Sequence, residues 1–157
     1  MLGLHERTLR NNGIQVDKEI TPGSPLVWGN AQQLEQVVLN LLLNAEQAVA
    51  RNSEQPRITL RLTIRAGGVR LVVSDTGPGI APENLPRVFE PFFTTKPVGQ
   101  GTGLGLSICY SIVGAHGGKI WAEGEPGKGA ALVVELPASK RPAVDEATPA
   151  PPSVPAL

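Results

Sequence analysis

The sequence predicts an α/β (α+β) fold, a two-layer sandwich with helices packed on one face of a mixed, largely antiparallel sheet. Three observations lead there. From Asn30 to about Arg51 no Gly or Pro interrupts a helical spacing of apolar residues. From Ile58 to Arg65 apolar and polar residues alternate strictly, the signature of a strand covered on one face. Gly67-Gly68 then reads as a hairpin turn into a second strand, Val69 to Asp75, which favours antiparallel pairing.

The elements follow in order. The first dozen residues read as a helix stopped at Asn11-Asn12-Gly13. Ile14 to Ile20 reads as an edge strand, with Ile14, Val16 and Ile20 on alternate positions and Thr21-Pro22-Gly23 ending it. Asn30 is the expected N-cap of the long helix, whose core positions are Leu34, Val37, Val38, Leu41, Leu42, Ala45, Ala48 and Val49. On a helical wheel Gln33, Asn40, Asn44, Gln47 and Arg51 form one polar strip, with Leu39 and Leu43 expected on the far side. Pro56 restarts the chain as strands. Thr76 to Gly103 is rich in Gly, Pro and Phe without periodicity, a length of connection that is usually functional or mobile. A second helix is expected from about Gly103 to His116, then strands Lys119 to Glu123 and Ala130 to Leu136 around a Gly124 to Gly129 turn.

The domain is expected to span residues 1–137. The stretch 138–157, mostly Pro, Ala and Ser, lacks the apolar surface to offset ordering entropy and is expected to be a disordered tail. Charge balance, 14 Lys+Arg against 14 Asp+Glu with no basic stripe, argues against nucleic acid as a partner. Cys109 is the single cysteine, so no intrachain disulfide can form and a reducing, cytoplasmic compartment is expected. No apolar run reaches the ~18 residues of a membrane span, so this piece is expected to make no membrane contact, although a longer parent could be anchored. Glu6, Arg7 and Arg10 stand where a signal peptide would be apolar.

Four segments carry candidate chemistry. Asparagine costs up to about 0.7 kcal/mol relative to Ala inside a helix, so Asn40 and Asn44 need a return. Either they form a solvated or hydrogen-bonded seam, or they offer neutral oxygens to a Mg²⁺ that keeps most of its ligands as water and phosphate. Asp75-Thr76-Gly77-Pro78-Gly79-Ile80 closes an apolar strand with a Pro-Gly pair suited to a type II turn. Its aspartate either bonds its own backbone, accepts a hydrogen bond from the exocyclic amine of adenine, or belongs to a homodimeric aspartic protease, where two such carboxylates share a proton. Gly99 to Gly105 has the spacing G-x-G-x-G at a helix start. Its open backbone and unpaired N–H groups favour phosphate, but it matches neither a dinucleotide fold nor a P-loop. Between the two glycine runs, Phe89-Glu90-Pro91-Phe92-Phe93-Thr94-Thr95-Lys96 holds all 3 phenylalanines, either as plugs under a loop or as the anchor of a lid whose lysine reaches a terminal phosphate.

Together, NLLLNA at Asn40 to Ala45, DTGPGI at Asp75 to Ile80, FEPFFTTK at Phe89 to Lys96 and GTGLGLS at Gly101 to Ser107 resemble, in order and spacing, the catalytic ATP-binding domain of sensor histidine kinases. The lid sequence resembles the nitrogen-regulation-type branch of this GHKL superfamily. The similarity extends from about Leu4 to Pro137. It implies a mobile ATP lid, ATP and Mg²⁺ as cofactors, and transfer of the γ-phosphoryl group to a histidine. By position it makes Asn44 the Mg²⁺ ligand, Asn40 a neighbouring phosphate or water contact, and Asp75 the adenine anchor. Ala48, Gly77, Gly79 and Ile80 would line the base pocket. Gly101, Thr102, Gly103, Leu104, Gly105 and Leu106 would wrap the phosphates, and Thr95 and Lys96 would meet them from the lid, with Asn40 and Lys96 as the catalytic pair.

Departures are informative. Many relatives carry Lys or Arg three residues after the metal asparagine, where this chain has Gln47, which throws weight on Lys96. After the closing glycines stand Ala130 and Leu132 in place of Thr and an aromatic residue. Related gyrase-like ATPases carry a glutamate base where Asn40 stands, and an amide cannot take a proton from water, which favours transfer over hydrolysis. The acceptor histidine is expected on a separate dimerisation domain that then passes the group to a response regulator. His5, though followed by Glu6, has no preceding helix pair, and His116 reads as structural. The isolated domain is expected to be monomeric. A nucleotide-binding regulatory module without transfer is the remaining alternative.

Overall fold

The computed structural model describes residues 2–23, 26–52 and 54–138, so the expected tail lies, from 139 onward, outside the described residues. The order of elements is α1 (Leu2–Asn11), β1 (Gln15–Ile20), α2 (Ala31–Asn52), β2 (Arg57–Arg65), β3 (Gly68–Asp75), a short 3₁₀ helix (Pro82–Asn84), α3 (Gly105–Ala115), β4 (Lys119–Gly124) and β5 (Ala130–Pro137). The strands form one sheet in the order β1-β2-β3-β5-β4. β1 pairs parallel with β2, while β2 with β3, β3 with β5, and β4 with β5 are antiparallel. The parallel pair is possible because α2 provides the crossover that returns the chain to the same end of the sheet.

The helices cover one face. Val37, Leu41, Ala45 and Val49 of α2 and Cys109 and Val113 of α3 are buried against Ile58, Val73, Leu132 and Val134 of the sheet. On the other face Arg70 lies over the Trp121 ring, 5.2 Å from its centroid. The guanidinium and the indole thereby shield buried Val133, the register partner of Trp121. Among the described residues no helix is long and apolar enough to cross a membrane.

Local chemistry sets the helix ends. Asn30 caps α2 through its Oδ1, which accepts the Gln33 N–H at 3.1 Å. Gly13, where the first helix was expected to stop, has φ 76° in the left-handed region that glycine tolerates. α3 begins two residues later than the expected Gly103, because Gly103 has φ 67° and cannot be helical. The loop 76–103 contains the 3₁₀ helix, which its sequence periodicity did not announce.

His116 couples the two main helices. Its Nδ1 lies 2.7 Å from the Ile112 carbonyl, which can only accept, so Nδ1 carries the proton. Nε2 therefore accepts, and it takes the Asn30 N–H at 3.1 Å. A Cβ on Gly29 would lie 2.3 Å from His116 Cδ2, so the glycine is what lets the ring approach. His116→Ala is expected to lower unfolding free energy by about 1 kcal/mol, read as a shift in urea midpoint, since it takes away the acceptor of the Asn30 N–H, while the Ile112 carbonyl keeps the backbone N–H of residue 116.

Candidate functional site

One cavity of about 350 Å³ gathers the segments that the sequence singled out. Asn40, Asn44, Gln47 and Ala48 of α2 form one wall; Asp75, Pro78, Gly79 and Ile80 continue it from the end of β3. Thr94, Thr95 and Lys96 approach from the loop, and Gly101, Thr102, Gly103, Gly105 and Leu106 close the remaining side. Gly77 and Leu104 are the two candidates absent from the lining. Gly77 instead donates its N–H to Asp75 Oδ1 at 2.8 Å, orienting the carboxylate. The Leu104 N–H donates to Thr102 Oγ1 at 3.4 Å, and the residue forms the N-cap of α3.

Residues outside the candidate set also line the cavity, among them Ala130 and Leu132, which the sequence had marked only as departures of the closing motif. Leu43, expected on the far side of α2, lines it beside the amide strip. The correction follows from wheel geometry: Leu43 stands one turn from both Asn40 and Gln47, so it borders the strip. Ala130 and Leu132 line it because β5 pairs with β3, setting Ala130 opposite Asp75 and Leu132 opposite Val73. Ala81, Asn84 and Val88 belong to the aperiodic loop, where only the 3₁₀ helix and the turns after it reveal their direction. The phenylalanines divide: Phe89 packs on the core, Phe93 lines the cavity, and Phe92 is exposed.

The carboxylate turn is held by backbone. A Cβ on Gly79 (φ 81°) would lie 2.0 Å from the Glu125 carbonyl oxygen, and one on Gly129 would lie 2.0 Å from that of Asp75. The Gly127 N–H donates to the Pro78 carbonyl at 2.7 Å, so the β4–β5 turn is seated directly on the Asp75 turn. Thr76 faces away from the cavity: its hydroxyl donates to the Gln55 carbonyl at 3.0 Å and accepts the Arg57 N–H at 3.0 Å, fastening the turn to β2.

Burial pushes the Asp75 carboxyl above its ordinary range, partly offset by the Gly77 and Ala130 N–H groups that stabilise the anion. The sign for the empty fold follows. Because the folded group binds its proton more tightly than the unfolded one, its contribution to stability is present at low pH and lost as pH rises through the folded value. Affinity for a ligand that donates to the carboxylate runs the other way, falling as pH drops through that value. Calorimetric titration with adenosine, stepped from neutral to mildly acidic pH, is expected to show affinity declining before the pH reaches the ordinary carboxylate range of about 4.

The glycine run closes a loop. The Phe92 N–H donates to the Gly103 carbonyl at 2.9 Å, and a Cβ on Gly103 would lie 2.5 Å from the Phe92 carbonyl carbon. Residues 93–102 thus hang from a clip at whose base Phe92 itself has φ 65°. Asn40 ties α2 to the start of α3 by donating from Nδ2 to the Gly105 carbonyl at 3.3 Å. Lys96 Nζ donates to Gln47 Oε1, bringing the loop's cation against the amide strip. Among the described residues no cluster of three or more His, Cys, Asp or Glu could hold a metal ion. A divalent cation in the cavity would therefore rely on side-chain amides such as that of Asn44, together with oxygens of the ligand and water.

Comparison with known proteins gives consistent results. The family model described as "Histidine kinase-, DNA gyrase B-, and HSP90-like ATPase" matches residues 29–140. The two-component sensor PprA of Pseudomonas aeruginosa is 44% identical over 140 residues, covering 87% of this chain and 15% of the relative. The sensory histidine kinase/phosphatase NtrB of Rhizobium meliloti is 36% identical over 151 residues, covering 87% of this chain and 38% of the relative. The crystal structure of full-length ShkA in complex with AMPPNP superposes with TM-score 0.75 at 33% identity, covering 87% of this chain and 28% of that one. The chain thus spans well under half the length of these curated relatives.

Proposed function

Because the chain belongs to the histidine kinase-, DNA gyrase B- and HSP90-like ATPase family, we propose that residues 1–137 are the ATP-binding, phosphodonating unit of a two-component sensor histidine kinase. The observation that carries this reading is convergence: the amide pair, the buried carboxylate, the glycine-opened helix and a lid lysine share one cavity. Asp75 accepts from the adenine amine, with Ala48, Gly79, Ile80, Ala130 and Leu132 supplying an apolar surround for the base. The first turn of α3, at Gly105 and Leu106, offers backbone N–H groups and the positive end of its dipole to phosphate. Thr95 and Lys96 approach the terminal phosphate from the lid.

The donor set fits Mg²⁺ held by Asn44 through its amide oxygen. Held there by Asn44, Mg²⁺ would supply positive charge to offset the negative charge of the phosphates. Asn44→Ala is expected to weaken ATP binding about tenfold in the presence of Mg²⁺ and to leave binding nearly insensitive to chelator. Isothermal titration with and without EDTA checks both.

The acceptor must come from elsewhere. His5 is turned into the α1–α2 contact, its Nε2 3.5 Å from Glu46 Oε2, and His116 is committed to two backbone groups. The partner is a histidine-bearing dimerisation domain, followed by a response regulator. The acceptor imidazole nitrogen attacks the γ-phosphorus as the bond to the β,γ-bridging oxygen breaks; ADP leaves, and the ring proton passes to solvent. Asn40 cannot deprotonate water, and its amide N–H already serves the Gly105 carbonyl, so hydrolysis has no base at this position. Radiolabel from γ-labelled ATP is expected to appear on a supplied histidine-bearing helical domain and not as rapid phosphate release. ATP binding with an unlabelled domain would leave a binding module without transfer.

The site is read as working in a reducing cytoplasm, where a single unpaired thiol such as Cys109 is usual. The isolated unit is read as a monomer.

A further inference from the structure

We infer that Gln47 is a positioning residue that holds the lid lysine over the phosphate end of the cavity without neutralising it; this rests on the ATP-binding reading above. Contacts along its whole length position the lysine. Its backbone N–H donates to Thr94 Oγ1 at 3.1 Å, which folds the lid tip into a side-chain-capped turn. Its stem lies across Gly101, where an added Cβ would come within 3.1 Å of Lys96 Cδ. Its ammonium donates to Gln47 Oε1, on the turn of α2 that follows Asn44. Gln47 is exposed on the helix surface, so its side chain is not needed to fill the core.

The choice of partner decides the chemistry. A glutamate at this position would give Lys96 an ion pair, cancel its charge and place a second anion beside the phosphates. The neutral amide gives a hydrogen bond and brings no anion of its own to compete with an incoming phosphate. The amide dipole is also a weaker competitor than a phosphate oxygen, so the ammonium can exchange partners when a triphosphate enters. Gln47 therefore prepares the lid for the terminal phosphates and contributes nothing to the base.

Binding of Mg·ATP and of AMP to the full chain tests this in wild type, Gln47→Ala, Gln47→Glu, Lys96→Ala and the Gln47→Ala/Lys96→Ala double variant. Lys96→Ala is expected to weaken ATP about tenfold, Gln47→Ala about threefold to fivefold, and Gln47→Glu more than Gln47→Ala, with AMP changed less than about twofold throughout. The double variant is expected to bind ATP no more weakly than Lys96→Ala alone. Wild-type affinity for ATP in Gln47→Ala, equal losses for ATP and AMP, multiplicative losses in the double variant, or ATP binding by Gln47→Glu equal to wild type would each overturn the assignment of Gln47 while leaving the nucleotide site intact. Failure of the wild type to bind either nucleotide would overturn both.

Discussion

Asp75→Asn is expected to weaken adenine nucleotide binding about 100-fold while leaving the fold as stable as wild type or slightly more so. The substitution is nearly isosteric, so packing is unchanged and the effect is one of hydrogen-bond polarity. The Gly77 and Ala130 N–H groups already converge on the carboxylate. An asparagine must give its single oxygen to those fixed donors, which leaves its NH₂ facing the amine of the base, donor against donor. At the same time the burial that pushes the Asp75 carboxyl up no longer has a charge to penalise, so unfolding free energy does not fall. Calorimetric titration paired with urea denaturation separates the two effects. Loss of stability without loss of affinity would mean that the carboxylate is structural.

Gly79→Ala is expected to cost about 3 kcal/mol or more in stability, with loss of nucleotide binding. Two penalties coincide there. The backbone sits at φ 81°, where an L side chain costs about 1–2 kcal/mol. The new methyl also meets the Glu125 carbonyl oxygen at 2.0 Å, a backbone atom that cannot swing aside. The adjacent hydrogen bond from the Gly127 N–H to the Pro78 carbonyl holds the two turns together, so relief requires separating them. Gly127→Ala is the control. It has φ 78° but nothing within 4 Å, and it is expected to cost only about 1 kcal/mol. Equal urea midpoints for the two variants would show that the close turn-on-turn contact does not matter.

The parts of this molecule governed by near neighbours in the chain were legible from residue order. Alternation in Ile58 to Arg65 gave β2, and Asn30 before an uninterrupted apolar stripe gave the capped start of α2. Most of the site was legible for the same reason, since each motif places its groups within one turn or one helical strip. What escaped depends on contacts distant in sequence. Leu43 is the exception, since the wheel alone sets it one turn from Asn40 and Gln47 at the border of the strip. α3 starts at Gly105 because Gly103 is drawn into the clip with Phe92, a pairing of residues eleven apart. The partnership of Gln47 with Lys96 spans 49 positions and follows only once the loop is folded over the helix. Asn84 and Val88 sit in a loop with no period to read.

Titration of the full chain with ATP in the presence of Mg²⁺ addresses the shared cavity most directly. A single saturable site is expected, weakened by chelator and about 100-fold weaker in Asp75→Asn. Absence of binding, or an isotherm that Asp75→Asn leaves unchanged, would contradict it.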